Sequence, residues 1–399
     1  MWENKIDINR VTEIRAKTTS YFGVGAIHKI ADIAGNLSKK GVKKAVVVTG
    51  RGSHIKTGAW DIVKKALDAN GIGYVSYNKI TPNPTVAQVD EATALARNFG
   101  ASAVIAIGGG SPIDAAKAVS VMMEYPEKNA TELCEFKFTP DKAAPLVAVN
   151  LTHGTGTEVD RFAVVSIPEK NYKPALAYDC LYPVYSIDDP ALMTKLPAKQ
   201  TVYVSVDAVN HVIEASTTLA TNPFAILLAK ETVRLIAKYL PAAIKNPQDL
   251  TARYYLLYAS MIAGISFDNG LLHLTHALEH PLSGVKPELA HGLGLSLILP
   301  AIVKQIYPAT AEVLAEVLSP IASGLNGTPD EADAAGKKVK AWLKDVGISG
   351  SLRDEGFNDA DVDKLTGLAF NTPSLGGLLS LAPIKATKEV VASIYRESL

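Results

Sequence analysis

The chain has 399 residues, 48% of them apolar and 20% charged, enough to bury a large core and, at about 100–200 residues per domain, to form two domains. Forty Lys plus Arg balance forty Asp plus Glu, so there is no basic excess to displace counterions from a nucleic acid. Two cysteines, Cys134 and Cys180, are too few for a disulfide framework and point to a reducing, cytoplasmic setting.

The opening Met1-Trp2-Glu3-Asn4-Lys5 carries an acid and no apolar core, so a secretory signal is not expected. Ala45-Val46-Val47-Val48-Thr49 predicts a strand stopped by Gly50-Arg51-Gly52-Ser53, and Ile62 to Leu67 part of an amphipathic helix. Gly73–Tyr77 predicts the next strand, Thr81–Thr85 a loop, Val86–Asn98 a helix, and 103–107 and 146–149 two further strands. Strands separated by helices of 10–15 residues predict an α/β domain with a parallel sheet over residues 1–190. Beyond Asp189-Pro190 the long stretches Ala225–Leu240 and Leu250–Ile265 have 3.6-residue apolar spacing, so 191–399 is expected to be an all-α domain. The longest uncharged stretch, Leu365 to Ile384, contains Asn371, Pro373, Gly376, Gly377 and Pro383, which predicts loops and short turns rather than a bilayer span; a soluble protein with no membrane partner is expected.

Ile107-Gly108-Gly109-Gly110-Ser111-Pro112-Ile113-Asp114 lies where a strand ends and a helix begins. Glycines let a ligand approach the backbone, and the free N–H groups of a helix start favour an anion such as a pyrophosphate. The run is not G-x-G-x-x-G, because Ile113 stands where the third glycine would be. A second small-residue loop, Thr152-His153-Gly154-Thr155-Gly156-Thr157, follows the strand at 146–149 and adds hydroxyls and amides. After the first strand, a carboxylate would bond a ribose 2′-hydroxyl and repel a 2′-phosphate. Here Gly50, Arg51 and Ser53 follow instead, which predicts a preference for NADP(H) over NAD(H).

Five of the eight histidines, His211, His273, His276, His280 and His291, lie between residues 211 and 291. Asp207 and His211 are four residues apart on one helix face, and His276 and His280 repeat the spacing. A loop containing Pro281, Gly284 and Pro287 is expected before His291-Gly292. Histidines bunched in a mainly apolar segment are costly to bury without partners for their nitrogens, and a divalent ion supplies one. Nitrogen and oxygen ligands without cysteine suit Fe(II) or Zn(II). Spacing alone leaves His273, His276 and His280 all open as ligands.

These motifs, with Asn83-Pro84-Thr85, Gly154-Thr155-Gly156-Thr157-Glu158 and His276-Ala277-Leu278-Glu279-His280-Pro281-Leu282, resemble the iron-containing (group III) alcohol dehydrogenases over nearly the whole chain. The resemblance implies a dinucleotide-binding α/β domain, a helical domain, and a cleft holding NADP(H) or NAD(H) and one divalent metal, Fe(II) before Zn(II). It implies Asp207, His211, His276 and His291 as metal ligands, His280 beside the substrate as the proton-transferring residue, and His273 as no ligand. Gly50, Arg51, Ser53, Asn83, Gly108, Gly109, Gly110, Ser111, Asp114, Thr152, Thr155, Thr157 and Lys173 are the implied cofactor-binding positions. The implied activity interconverts a small primary alcohol and its aldehyde, in a homodimer or larger homo-oligomer. A dehydroquinate synthase-like lyase and a non-enzymatic metal-binding assembly protein are the alternatives; Lys286, the one formal cation in the histidine-rich segment, is too little to hold a phosphorylated acid. The chain departs from the family at Asn150, where proline is common, and at His153, where alanine is common; His153 is expected either to touch the nicotinamide region or to face solvent.

Overall fold

The apolar runs of the first half are buried on both faces, as central strands of a parallel sheet must be. The structure is a computed structural model, and it describes residues 2–399. The chain divides into two compact units, Ala16–Leu196 with Pro247–Leu257 in one, and the segment up to Arg15, Pro197–Asn246 and Tyr258–Leu399 in the other.

In the first unit β1 (Thr19–Phe22), β2 (Lys44–Gly50), β3 (Gly73–Ile80), β4 (Ala103–Gly108), β5 (Leu146–Asn150) and β8 (Tyr185–Asp188) form one sheet in the order β1-β8-β5-β4-β2-β3, every pair parallel. The short β6 (Phe162–Val164) and β7 (Ala175–Ala177) pair antiparallel beside it. Period-2 alternation divides the core in two. Val46, Val48, Val104 and Ala106 pack with Val89 and Ala92 of α4 (Val86–Phe99) and Ile113 and Val119 of α5 (Gly110–Glu124). Val47, Ile105, Ile107 and Val149 pack with Ile33 and Leu37 of α1 (Ile30–Lys39) and Val63 and Leu67 of α3 (Ala59–Ala69). Thr85 caps α4 in a reciprocal pair with Gln88. The short helices α2 (Ser53–Lys56) and α6 (Ala130–Cys134) complete the layers.

The chain runs outward from β2 to β3 and then returns to place β4 on the other side of β2. That reversal leaves a crevice at the carboxyl ends of β2 and β4, the place where open α/β sheets bind ligands. Gly50 and Gly108 end those two strands.

In the second unit the helices are α7 (Ala198–Thr217), α8 (Pro223–Lys245), α10 (Leu274–Val285), α11 (His291–Leu318), α12 (Ala332–Asp345), α13 (Val362–Asn371), α14 (Leu375–Ser380) and α15 (Lys388–Ser398); α9 spans Leu250–Gly270. α11 is long and apolar enough to cross a membrane by length and composition, but 67% of its most apolar window is packed inside the protein. Two expectations fail here. Pro281 and Gly284 lie inside α10 rather than in a loop: Leu278 and Leu282 are fully buried on it, and this packing outweighs the hydrogen bond that proline forfeits. The stretch 365–384 is largely helical, in α13 and α14, with breaks around Ser374 and after Ser380; burial of Leu365, Ala369, Leu375 and Leu379 overrides its glycines.

One buried charge pair ties α5 to β6. Lys117 is fully buried, and its Nζ donates to the Asp160 carboxylate at 2.9 Å, the Asp160 carbonyl at 2.9 Å and the Phe162 carbonyl at 2.7 Å. Asp160 also accepts from the Phe162 N–H at 2.6 Å. Lys117→Met strands that carboxylate and is expected to cost about 3–5 kcal/mol in urea unfolding; a loss under about 1 kcal/mol would contradict the role given to the pair.

Candidate active site

Asp207, His211 and Glu214 recur on one face of α7, and His276, Glu279 and His280 on α10. His291 opens α11, and Gly292 behind it lets that helix start against α7: a Cβ there would stand 2.1 Å from the Tyr203 carbonyl oxygen. The result is a convergence on one oxygen. Asp207 Oδ1 lies 3.5 Å from His211 Nε2, 3.6 Å from His276 Nε2 and 3.9 Å from His291 Nε2. These distances are too long for good hydrogen bonds. Among the described residues neither Asp207 Oδ1 nor His276 Nε2, both buried, has a hydrogen-bond partner. Ligands about 2.1 Å from a tetrahedral ion stand about 3.4 Å apart, so the spacing suits a cation and not a proton. Asp207, His276 and His291 each bring one ligand atom within 4.8 Å of the others, and His211 joins through Asp207.

The electrostatics agree. Burial pushes the Asp207 carboxyl up, but the imidazoles of His211, His291 and His276 outweigh it and hold it far below the usual carboxylate range. Burial drives His211 down to about 4, leaving it neutral with a lone pair to offer at pH 7. Burial opposes charge on His276 too, yet Glu214 and Asp207 push it up to about 9; in turn burial works against Glu214 while His276 and His273 bring it down to about 2. A divalent ion at this point would replace a proton shared among buried groups, and the residues therefore fit one.

His273 is not part of the cluster: its Nε2 meets Thr217 Oγ1 at 2.9 Å, and burial lowers it to about 4. His280 is buried, its ring centroid 5.7 Å from that of His291 and 6.2 Å from that of His276. Glu214 and Glu279 are functional candidates that the motifs did not single out, each bonded to the Nδ1 of a cluster histidine. Their positions, seven residues after Asp207 and three after His276, were the available signal.

The other predicted residues gather at the strand ends of the α/β unit. The Gly108–Ser111 turn and the Thr152–Thr157 loop touch directly: a Cβ on Gly109 would meet Thr152 Oγ1 at 2.5 Å, and one on Gly110 would meet Thr155 Cγ2 at 2.7 Å. Thr157 Oγ1 donates to Asp114 at 2.7 Å, and Asp114 also accepts from the Val164 N–H at 3.0 Å, so these two side chains tie the loops together. Burial pushes the Asp114 carboxyl up. Gly50 packs near Pro112, 3.9 Å from an added Cβ, while Arg51 and Ser53 are exposed after it. Asn83 adopts a left-handed conformation, φ 54°, in the loop after β3. Lys173 is buried near Asp114. His153 is buried, which removes the solvent-facing alternative.

Two sequence-family descriptions match this chain, iron-containing alcohol dehydrogenase over residues 17–190 and the C-terminal region of the Fe-containing alcohol dehydrogenase family over residues 201–399. The chain belongs to the iron-containing alcohol dehydrogenase family. It is 63% identical over 398 residues to a long-chain primary alcohol dehydrogenase of Thermoanaerobacter ethanolicus, covering 100% of both chains. It is 30% identical to an NADPH-dependent butanol dehydrogenase of Clostridium saccharobutylicum, covering 86% of each. Among solved structures, an NADH-dependent butanol dehydrogenase of Thermotoga maritima superimposes with a TM-score of 0.90 at 29% identity, covering 98% of both chains. The protein is thus an enzyme, an alcohol dehydrogenase of the iron-containing type, and its family implies a metal and a nicotinamide dinucleotide.

Asn150, at the end of β5 in this dehydrogenase, anchors the second loop. Its Oδ1 accepts from the Thr152 N–H at 3.1 Å, and its Nδ2 donates to Asp188 at 3.2 Å. Burial lifts Asp188 to about 6 against hydrogen bonds from Ser186 and Asn150, and lifts the fully buried Glu158, with Asp188 nearby, well above the usual range. A carboxyl raised in the folded state stabilises the fold at low pH, and that stabilisation is lost as pH rises through the folded value. Urea unfolding should therefore show the stability of the wild type relative to Asp188→Asn falling between pH 4.5 and 7; a flat or rising difference contradicts the assignment.

Proposed function

We propose that this dehydrogenase interconverts a primary alcohol and its aldehyde, with the metal held by Asp207, His211, His276 and His291 in 191–399 and the dinucleotide held by the strand-end loops of 1–190. The observation that carries the reading is Asp207 Oδ1, buried, without a hydrogen bond among the described residues, and within 3.9 Å of three imidazole Nε2 atoms. Fe(II) is the proposed ion, with Zn(II) the other that suits the donor set. Bound there, it supplies Lewis acidity toward the alcohol or aldehyde oxygen.

The chain's own residues supply the rest. His280 takes the proton that the alcohol loses on oxidation and returns one to the aldehyde oxygen in reduction, and a nicotinamide held by the strand-end loops would accept and return the hydride. The amides of Gly108–Ser111 and the hydroxyls of Thr152 and Thr155 hold the pyrophosphate, while Asp114 and Thr157 keep those two loops in register. The absence of a carboxylate at Gly50, with Arg51 and Ser53 exposed after it, supports NADP(H) as the preferred nucleotide; the butanol dehydrogenases similar to this chain use one nucleotide or the other by name. The name of the 63% identical relative supports long-chain aliphatic alcohols as the substrate class. Free Cys134 and Cys180 support a reducing compartment.

Chelator-stripped enzyme assayed at 340 nm with primary alcohols should lose at least about 100-fold in kcat/KM, and Fe(II) or Zn(II) should restore it to the wild type but not to Asp207→Ala. With the loaded wild type, kcat/KM for NADP+ should exceed that for NAD+, and Arg51→Ala should reduce the ratio. Full turnover after stripping contradicts the metal-centred scheme, and a ratio favouring NAD+ contradicts the nucleotide assignment alone.

A further inference from the structure

We infer that Glu214 and Glu279 are positioning residues that fix which ring nitrogen of His276 and His291 carries the proton, and that of the two only Glu214 cannot be replaced by its amide. This rests on the metal-centre reading given above. Both carboxylates are fully buried. Glu214 Oε2 is bonded to His276 Nδ1, and Glu279 Oε2 to His291 Nδ1. A carboxylate can only accept, so each imidazole must donate from Nδ1, and an ion taking the place of any second proton meets an Nε2 lone pair on the side of Asp207. His211 lacks such a partner among the described residues; its ring is held by stacking, 4.5 Å from Phe267 and 4.6 Å from His276 between centroids.

The second oxygen of each carboxylate separates the two. Glu214 Oε1 accepts from two main-chain donors, His273 N at 2.9 Å and His276 N at 3.2 Å. Main-chain N–H groups cannot become acceptors. In Glu214→Gln the amide nitrogen must therefore face either those donors or His276 Nδ1. The first choice sets donor against donor in a dry site; the second forces His276 to carry its proton on Nε2, where the ion belongs. Glu279 Oε1 is bonded by the Ser283 hydroxyl, which can rotate and accept instead. Gly294 makes room for that carboxylate, since a Cβ there would stand 3.0 Å from Glu279 Oε1. Glu279→Gln can thus turn its nitrogen to Ser283 and keep its oxygen on His291.

Zn(II) affinity of the full-length protein, measured by competition with a chromophoric chelator, should fall about 10–100-fold in Glu214→Gln and stay within about threefold of wild type in Glu279→Gln. Imidazole 15N spectra of the Zn(II)-loaded wild type should show Nδ1 protonated and Nε2 coordinated on both His276 and His291. Equal affinity in Glu214→Gln and wild type overturns the inference, as does a spectrum with the His276 proton on Nε2. Should Glu214→Gln fail to fold, the wild-type spectrum decides alone. A wild type that binds no Zn(II) overturns the metal-centre reading beneath it, an outcome distinct from equal binding by both proteins.

Discussion

A carboxylate stripped of water must be compensated, and Asp207 is compensated by imidazole nitrogens that stand too far away to hydrogen-bond it well. Everything around it serves that arrangement. α7 carries Asp207, His211 and Glu214 along one face, α10 brings His276, and α11 can begin beside α7 only because residue 292 has no side chain. Burying so many titratable groups costs stability unless a cation completes the charge balance. The charge balance of this cluster is what supports the proposed metal centre.

The α/β unit solves a different problem. Its strands are short and apolar because both faces are covered, so polar chemistry is confined to the carboxyl ends. There Gly109 and Gly110 allow two loops to pack with Thr152 and Thr155 against bare backbone, while Gly108 leaves room for Pro112. The loops are braced from beneath by Asn150, Asp188, Asp114 and the Lys117–Asp160 pair, all of them hydrogen-bonded. This polar floor holds the glycine turn and the second loop in register, as the proposed dinucleotide site requires.

Much of this was legible in the sequence because the relevant signals are local. Central strands reveal themselves as β-branched runs and helix ends as glycine and proline, while the four-residue spacing of Asp207 with His211 and of His276 with His280 marks a cluster without saying which of its histidines belong. The edge strand β1, the strand β8 and the small β6–β7 pair were missed, since short segments such as Phe162–Val164 carry no period of their own and exist through their partners. Pro281 misled for the opposite reason: a local breaker was overruled by packing. Glu214 and Glu279 looked like ordinary charges, and only their burial against His276 and His291 exposes their part. Asp160, without meaning as a motif, became the counter-ion of a lysine forty-three residues earlier.

X-ray absorption at the metal edge of the purified, iron-loaded enzyme tests the central claim most directly. One ion per chain is expected, with three imidazole nitrogens and one carboxylate oxygen at about 2.0–2.2 Å, plus any solvent ligand. A shell containing sulfur, or one dominated by water with no imidazole scattering, would contradict it.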